Sequence, residues 1–102
     1  MPTWKVKFTE EARDDFRELD GRQKILVAKQ LAKLERDPRM GKHLGNKMAM
    51  DLTGYYKLYA DKKRVRIVYS IEGDLIKVIA IGEREDMEVY QLASKRITPK
   101  PQ

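Results

Sequence analysis

The chain has 102 residues, of which 41% are hydrophobic, a size and content that fit one domain with a single modest core and argue against wholesale disorder. It has no cysteine, which excludes disulfides, thiolate metal sites and a thiol nucleophile and fits a reducing compartment. Lysine and arginine number 22 against 16 acids, a net charge of +6 that points either to a polyanionic partner or to a basic domain with scattered surface lysines.

At the N-terminus, MPTWKVKF lacks the long apolar core of a signal peptide. No apolar run approaches the roughly 20 residues of a membrane helix, so a cytoplasmic protein with no membrane partner is expected. Trp4-Lys5-Val6-Lys7-Phe8 alternates apolar and polar and predicts a half-buried strand. Thr9 is placed to cap a short helix over 9–19, with Glu10 and Glu11 in its first turn and Ala12, Phe16 and Leu19 on one face. Asp20-Gly21 breaks it. A second helix is expected over 22–36, with Val27, Leu31 and Leu34 as its apolar stripe and Ala28 and Ala32 beside them. Asp37-Pro38 ends it, because the residue before proline disfavours the helical region. Together the two make an antiparallel helical hairpin.

Arg39 to Asp51, RMGKHLGNKMAMD, has two glycines and no sustained period, and reads as a loop available to a partner or substrate. His43 within it has no titratable companion at a telling spacing, so it reads as solvated rather than catalytic. Strands follow at Tyr55 to Ala60 and Arg64 to Ile71. After a turn at Glu72-Gly73-Asp74 comes a third, Leu75 to Ile81, whose near-continuous apolar run predicts a central, covered strand. Met87 to Lys95 reads as a last short helix, and residues 98–102 as a frayed tail beyond a single domain over 1–97. The element order is β-α-α-β-β-β-α. It predicts an α+β fold: a largely antiparallel four-stranded sheet, a helical hairpin on one face and a short C-terminal helix. The other face is expected to lack full helical cover.

Side chains alternate sides along a strand. One side of the middle hairpin carries Tyr56, Leu58 and Ala60 opposite Val65, Ile67, Tyr69 and Ile71, a set that can pack under the helices. The other carries Tyr55, Lys57 and Tyr59 opposite Arg64, Arg66 and Val68. A four-residue connection around Asp61-Lys62-Lys63 keeps the sets together, and a one-residue slip would bury the cations. Like charges gathered on one face oppose sheet formation. Cations hold phosphates and aromatic rings stack on bases, so the interleaving suits single-stranded RNA. A solvated strand face is the plainer alternative. At the end of the third strand, Gly82-Glu83-Arg84-Glu85-Asp86-Met87-Glu88-Val89-Tyr90 brings Arg84 and Tyr90 toward the rim of that face, unless Arg84 only pairs with Glu83, Glu85 or Glu88.

In these segments the sequence resembles the RelE-type toxins of the RelE/ParE superfamily of bacterial toxin–antitoxin systems. The resemblance rests on TyrTyrLysLeuTyr at Tyr55–Tyr59, ArgValArgIleValTyr at Arg64–Tyr69, GlyGluArgGluAspMetGluValTyr at Gly82–Tyr90 and SerLysArgIle at Ser94–Ile97. It implies the toxin of a type II system: an endoribonuclease that cuts mRNA in the ribosomal A site. The ribose 2′-hydroxyl would attack the adjacent phosphate, with no metal and no cofactor. Carried over by motif, the catalytic residues are Lys57, Arg66, Arg84 and Tyr90, with Tyr59, Lys62, Lys63 and Arg64 as RNA-binding residues. Lys57 is expected to deprotonate the 2′-hydroxyl or stabilise charge, its pKa lowered by neighbouring cations. Arg66 and Arg84 are expected to hold the phosphorane, Arg84 also assisting the leaving oxygen, and Tyr90 to orient the nucleotide. The implied partners are a cognate antitoxin and the ribosome with mRNA in its A site. Two positions depart from the pattern: Tyr59 stands where these toxins often carry a second lysine, and Asp86 where they often carry a further basic residue. The alternatives on the same scaffold are a ParE-like toxin that poisons a topoisomerase without nuclease activity and an inactive RNA-binding module.

Overall fold

The computed structural model describes residues 4–47, 50–83 and 85–97. Arg84 and the expected tail at 98–102 lie outside them. The elements are β1 (Lys5–Phe8), α1 (Glu10–Arg17), α2 (Gly21–Leu34), β2 (Lys42–Lys47), β3 (Met50–Ala60), β4 (Val65–Glu72), β5 (Leu75–Gly82) and α3 (Asp86–Ile97).

Local chemistry sets the helix starts. The Thr9 hydroxyl accepts from the Ala12 amide at 3.1 Å and caps α1, as its position predicts. Asp20 caps α2 in a reciprocal box: its carboxylate accepts from the Gln23 amide at 2.7 Å, and the Gln23 side chain accepts from the Asp20 amide at 3.4 Å. The break between the helices is therefore also a start signal.

The sheet corrects the four-stranded antiparallel expectation. It has five strands in the order β1-β5-β4-β3-β2, with β1 parallel to β5 and the other neighbours antiparallel. The added strand is β2, inside the stretch expected to be a loop, and β3 starts at Met50 rather than Tyr55. A register shift between His43 and Gly45 explains the missed period. His43 lies opposite Tyr56 and Gly45 opposite Leu52, while Leu44 between them is buried in the core of the other face. Gly45 (φ 65°) takes a left-handed conformation that glycine tolerates best.

One face of the sheet packs under the helical hairpin, and part of the other packs under α3. Under α1 and α2 lie Leu58, Ala60, Val65, Ile67, Tyr69, Ile76, Val78 and Ile81. On the opposite face α3 packs Val89, Tyr90 and Ala93 against Leu44, Leu52, Val68, Ile79 and Ala80. The face expected to lack full helical cover is thus covered by α3 in part and left open beyond it. A second register shift between Val68 and Tyr69 lets the consecutive Ile79 and Ala80 join the α3 side. That is why β5 reads as a continuous apolar run. Among the described residues no helix is long and apolar enough to cross a membrane.

Candidate active site

The β3–β4 hairpin pairs as the alternation predicts: Tyr56 with Tyr69, Leu58 with Ile67 and Ala60 with Val65 on the helical-hairpin side, Lys57 with Val68 and Tyr59 with Arg66 on the other. Arg64 is the exception. It belongs to the turn over residues 61–64 rather than to β4, which begins at Val65.

That turn is strained. Asp61, Lys62 and Lys63 have φ of 53°, 54° and 71°, three consecutive left-handed residues without a glycine. Each such residue costs on the order of 1 kcal/mol or more and persists only where its surroundings hold it. Here α2 does the holding. Arg22 grips both Asp61 oxygens at 2.8 and 2.9 Å, Gln23 donates to the same carboxylate at 3.4 Å, and Gln30 donates to the Tyr59 carbonyl at 2.6 Å. The hydrogen bonds from Arg22, aided by Gln23 and the charge of Arg64 against a modest burial effect, hold the Asp61 carboxyl below its usual range.

Beside the part of the sheet that α3 covers, five side chains converge. The Lys57 ammonium donates to the Tyr59 hydroxyl at 2.9 Å and lies 4.8 Å from the Tyr59 ring centre and 5.7 Å from that of Tyr90. The Arg66 guanidinium carbon is 5.9 Å from the Tyr59 ring centre, and Lys63 Nζ is 5.7 Å from it. Three cations therefore surround one ring face or edge at cation–π range. Arg66 is steered by its backbone partners, donating to the Arg64 carbonyl at 3.2 Å and the Glu83 carbonyl at 3.1 Å. Tyr90 is supplied by α3 and is buried.

The electrostatics of Lys57 run against expectation. Burial works to lower its pKa, but hydrogen bonds to Tyr59 and Tyr90 outweigh that effect and hold it above the ordinary lysine value. The direction is opposite to the lowering expected from neighbouring cations, because phenolic oxygens of Tyr59 and Tyr90 accept from the ammonium and favour its charged form. The charged form of Lys57 is therefore favoured. Such a group stabilises negative charge well and takes up a proton poorly.

Of the residues singled out in the sequence, Lys57, Tyr59, Lys63, Arg66 and Tyr90 come together. Lys62 and Arg64 are exposed on the turn, and Arg64 acts there on Asp61. His43 is exposed, and its Nε2 accepts from the Gly54 amide at 2.9 Å, a structural use. Sequence reasoning misses Lys42, which the β2–β3 register sets directly opposite Lys57. Lys42 shares with Met40, Gly41, Lys57, Leu58, Tyr59 and Lys63 a hollow of ≈ 360 Å³. Only the register could have found it.

Comparisons with known proteins identify the family. A family model described as the ParE toxin of a type II toxin–antitoxin system, parDE, matches residues 6–88. A protein of Escherichia coli described as a RelE-like toxin is 32% identical over 96 residues, covering 92% of this chain and 97% of that protein. Escherichia coli toxin RelE, solved in the free state as a mutant with two arginines changed to alanine, matches with a TM-score of 0.73 at 26% identity, covering 94% of this chain and 99% of that one. The toxin–antitoxin complex RelBE2 from Mycobacterium tuberculosis matches with a TM-score of 0.68 at 28% identity, covering 84% of this chain and 97% of the other.

Proposed function

This chain is a RelE-type member of the RelE/ParE toxin superfamily, and from that premise we propose that it is a ribosome-dependent endoribonuclease that cuts mRNA in the A site. The observation that carries the reading is the convergence of Lys57 and Arg66 on the Tyr59 ring, with Tyr90 alongside. Preorganised cations at this spacing suit a reaction that builds negative charge on phosphate oxygens.

In the proposed reaction the ribose 2′-oxygen attacks the adjacent phosphorus and the bond to the 5′-oxygen breaks. The products are a 2′,3′-cyclic phosphate and a free 5′-hydroxyl. Lys57 and Arg66 stabilise the equatorial oxygens of the phosphorane. The raised pKa of Lys57 favours this role over that of general base, so the 2′-hydroxyl proton passes to water or to a ribosomal group. Arg84, assigned by its motif alone, is proposed to share the phosphorane charge and the charge on the leaving 5′-oxygen, which takes its proton from water. Tyr90 orients the nucleotide. A small acidic antitoxin is the proposed protein partner. Support comes from the solved RelBE2 complex and from Escherichia coli RelE bound to an antitoxin RelBc peptide. The cytoplasm, where translation occurs, is the proposed location.

The matched family model, described by ParE, favours a second reading, a non-nuclease toxin acting on a topoisomerase. Induced expression followed by primer-extension mapping separates the two. Cuts within translated codons support the nuclease. DNA breaks with intact transcripts support the second reading, and normal growth with no cleavage rejects both.

A further inference from the structure

The β3–β4 turn has a second side, away from the candidate active site. Leu26, Lys29, Gln30 and Lys33 recur at helical spacing on α2 and face the turn. With Tyr59, Ala60, Asp61, Lys62 and Lys63 they line a groove of ≈ 340 Å³. Lys29, Lys33, Lys62 and Lys63 are all exposed. Among the described lining residues Asp61 is the only carboxylate, and Arg22 engages both its oxygens. Folding does not require this arrangement. Lys29 and Lys33 sit one helical turn apart and repel, and the two turn lysines occupy left-handed backbone.

The groove shares Tyr59 and Lys63 with the hollow that contains Lys42 and Lys57. The two form one cationic track leading from Lys57 over the turn to Lys33. We infer that this track carries the backbone of a single RNA strand, with the reacting nucleotide at Lys57 and Arg66 and its flanking phosphates over Lys63 and Lys62 toward Lys29 and Lys33. The inference rests on the nuclease reading. An amphipathic protein segment is the poorer occupant, because such segments dock through apolar anchors and the groove offers little beyond Leu26: Ala60, its other aliphatic residue, is buried.

The test uses fluorescence anisotropy on the full chain with two labelled, fully 2′-O-methylated RNAs, a trinucleotide and a dodecanucleotide, titrated across salt. Each phosphate neutralised on a single strand adds about 0.7 to the log–log salt slope. Lys29→Gln/Lys33→Gln should lower the dodecanucleotide slope by about 1.4 and leave the trinucleotide slope as it was. Glutamine keeps the helix propensity, and matching melting curves verify the fold. An unchanged dodecanucleotide slope overturns the inference. So does a variant whose affinity falls more for poly-L-glutamate than for RNA, which assigns the groove to an acidic protein. A lowered slope in a protein whose transcripts stay intact upholds the track while the nuclease reading fails.

Discussion

Lys57 Nζ donates to the Tyr59 hydroxyl at 2.9 Å while lying 4.8 Å from the centre of the same ring, so one tyrosine both accepts from the lysine and faces its charge. Where the family resemblance leads to the expectation of a second lysine, Tyr59 supplies a hydrogen-bond acceptor instead. Tyr59→Phe removes a hydrogen-bond acceptor that raises the Lys57 pKa, and Tyr59→Lys adds a like charge as well. Both variants should lower the Lys57 pKa, Tyr59→Lys the more, as read from NMR titration of the side-chain nitrogen. Lys57 stays charged at neutral pH in both, so Tyr59→Phe should slow cleavage only through looser placement of the ammonium, about five- to tenfold for the loss of one hydrogen bond worth about 1–1.4 kcal/mol. A Lys57 pKa that does not move in either variant removes Tyr59 from this role.

Arg66 reaches the site through two carbonyls, Arg64 and Glu83, which fix the height of its guanidinium above β4. Replacing one preorganised charge-stabilising group typically costs about 10²–10³ in rate. Arg66→Ala and Lys57→Ala should each fall in that range in single-turnover cleavage on programmed ribosomes. Arg66→Lys should recover only part of the loss, because an ammonium lacks the planar fork. Arg84→Ala is expected to abolish toxicity with the melting temperature preserved; a fully toxic variant would refute its assigned role.

The hairpin that builds this site is legible in the sequence because period-2 alternation allows one register that buries the apolar set, Tyr56, Leu58 and Ala60 against Val65, Ile67 and Tyr69. The cap at Thr9 is legible from side-chain chemistry alone, whereas Asp20, read only as part of a break, caps α2 through its box with Gln23. What escapes is whatever depends on distant pairing. The parallel contact of β1 with β5 joins the two ends of the chain and leaves no local mark. The strand Lys42–Lys47 is hidden by a bulge. The cover that α3 gives the second face depends on where a short helix docks, and the Lys57 pKa depends on which atoms reach its nitrogen. The sequence pattern interleaves tyrosines with the cations but does not show which phenol oxygens reach the Lys57 nitrogen.

Tyr69 sits wholly buried, its hydroxyl donating to the Pro38 carbonyl at 2.7 Å and accepting from the Gly41 amide at 3.1 Å. Burial pushes its pKa up to about 12, against the smaller lowering effect of the Gly41 amide. The neutral form is therefore favoured in the folded chain. Its stabilising contribution is complete below the unfolded value near 10 and is lost as pH rises through about 12. Two pKa units correspond to about 2–3 kcal/mol. Urea denaturation at pH 9 to 12 should show wild-type stability falling by roughly that amount more than Tyr69→Phe. At neutral pH the variant should be the less stable by about 1–3 kcal/mol, because the Gly41 amide loses its acceptor. Parallel alkaline slopes would show that another group sets the loss.

Gly41 approaches this hydroxyl more closely than any other residue could. A Cβ built there would lie 2.5 Å from the Tyr69 hydroxyl and 2.6 Å from the Lys57 carbonyl. Neither is the end of a flexible side chain, so the backbone must shift. Gly41→Ala should destabilise the fold by about 1–3 kcal/mol, the usual range for overpacking. Because the shift falls on the strand carrying Lys57, cleavage should drop beyond what the melting curve accounts for. A variant with wild-type stability and rate would mean that the 39–42 segment yields freely.

Asp15 on α1 and Arg96 on α3 meet at the edge of β5, past the end of β1. Their side chains are 15% exposed, and Arg96 donates to the two Asp15 oxygens at 2.7 and 3.1 Å. Asp15 also accepts from the Ile81 amide at 3.0 Å, and Arg96 donates to the Ile79 carbonyl at 2.9 Å. The pair thus occupies β-edge groups that β1 leaves open, since the β1 register ends at Phe8 opposite Val78. It also ties α3, and with it Tyr90, to the opposite side of the sheet. Removing one partner of a largely buried pair strands the other charge, at a cost of about 3–5 kcal/mol when burial is complete. With residual exposure, Asp15→Ala and Arg96→Met should each cost about 2–4 kcal/mol. Hydrogen exchange should speed at Ile81 and along α3 while the β3–β4 pairing stays protected, because the pair ties α3 to the edge of β5. Exchange that accelerates evenly over the whole sheet would show that the pair supports global stability and has no particular hold on α3.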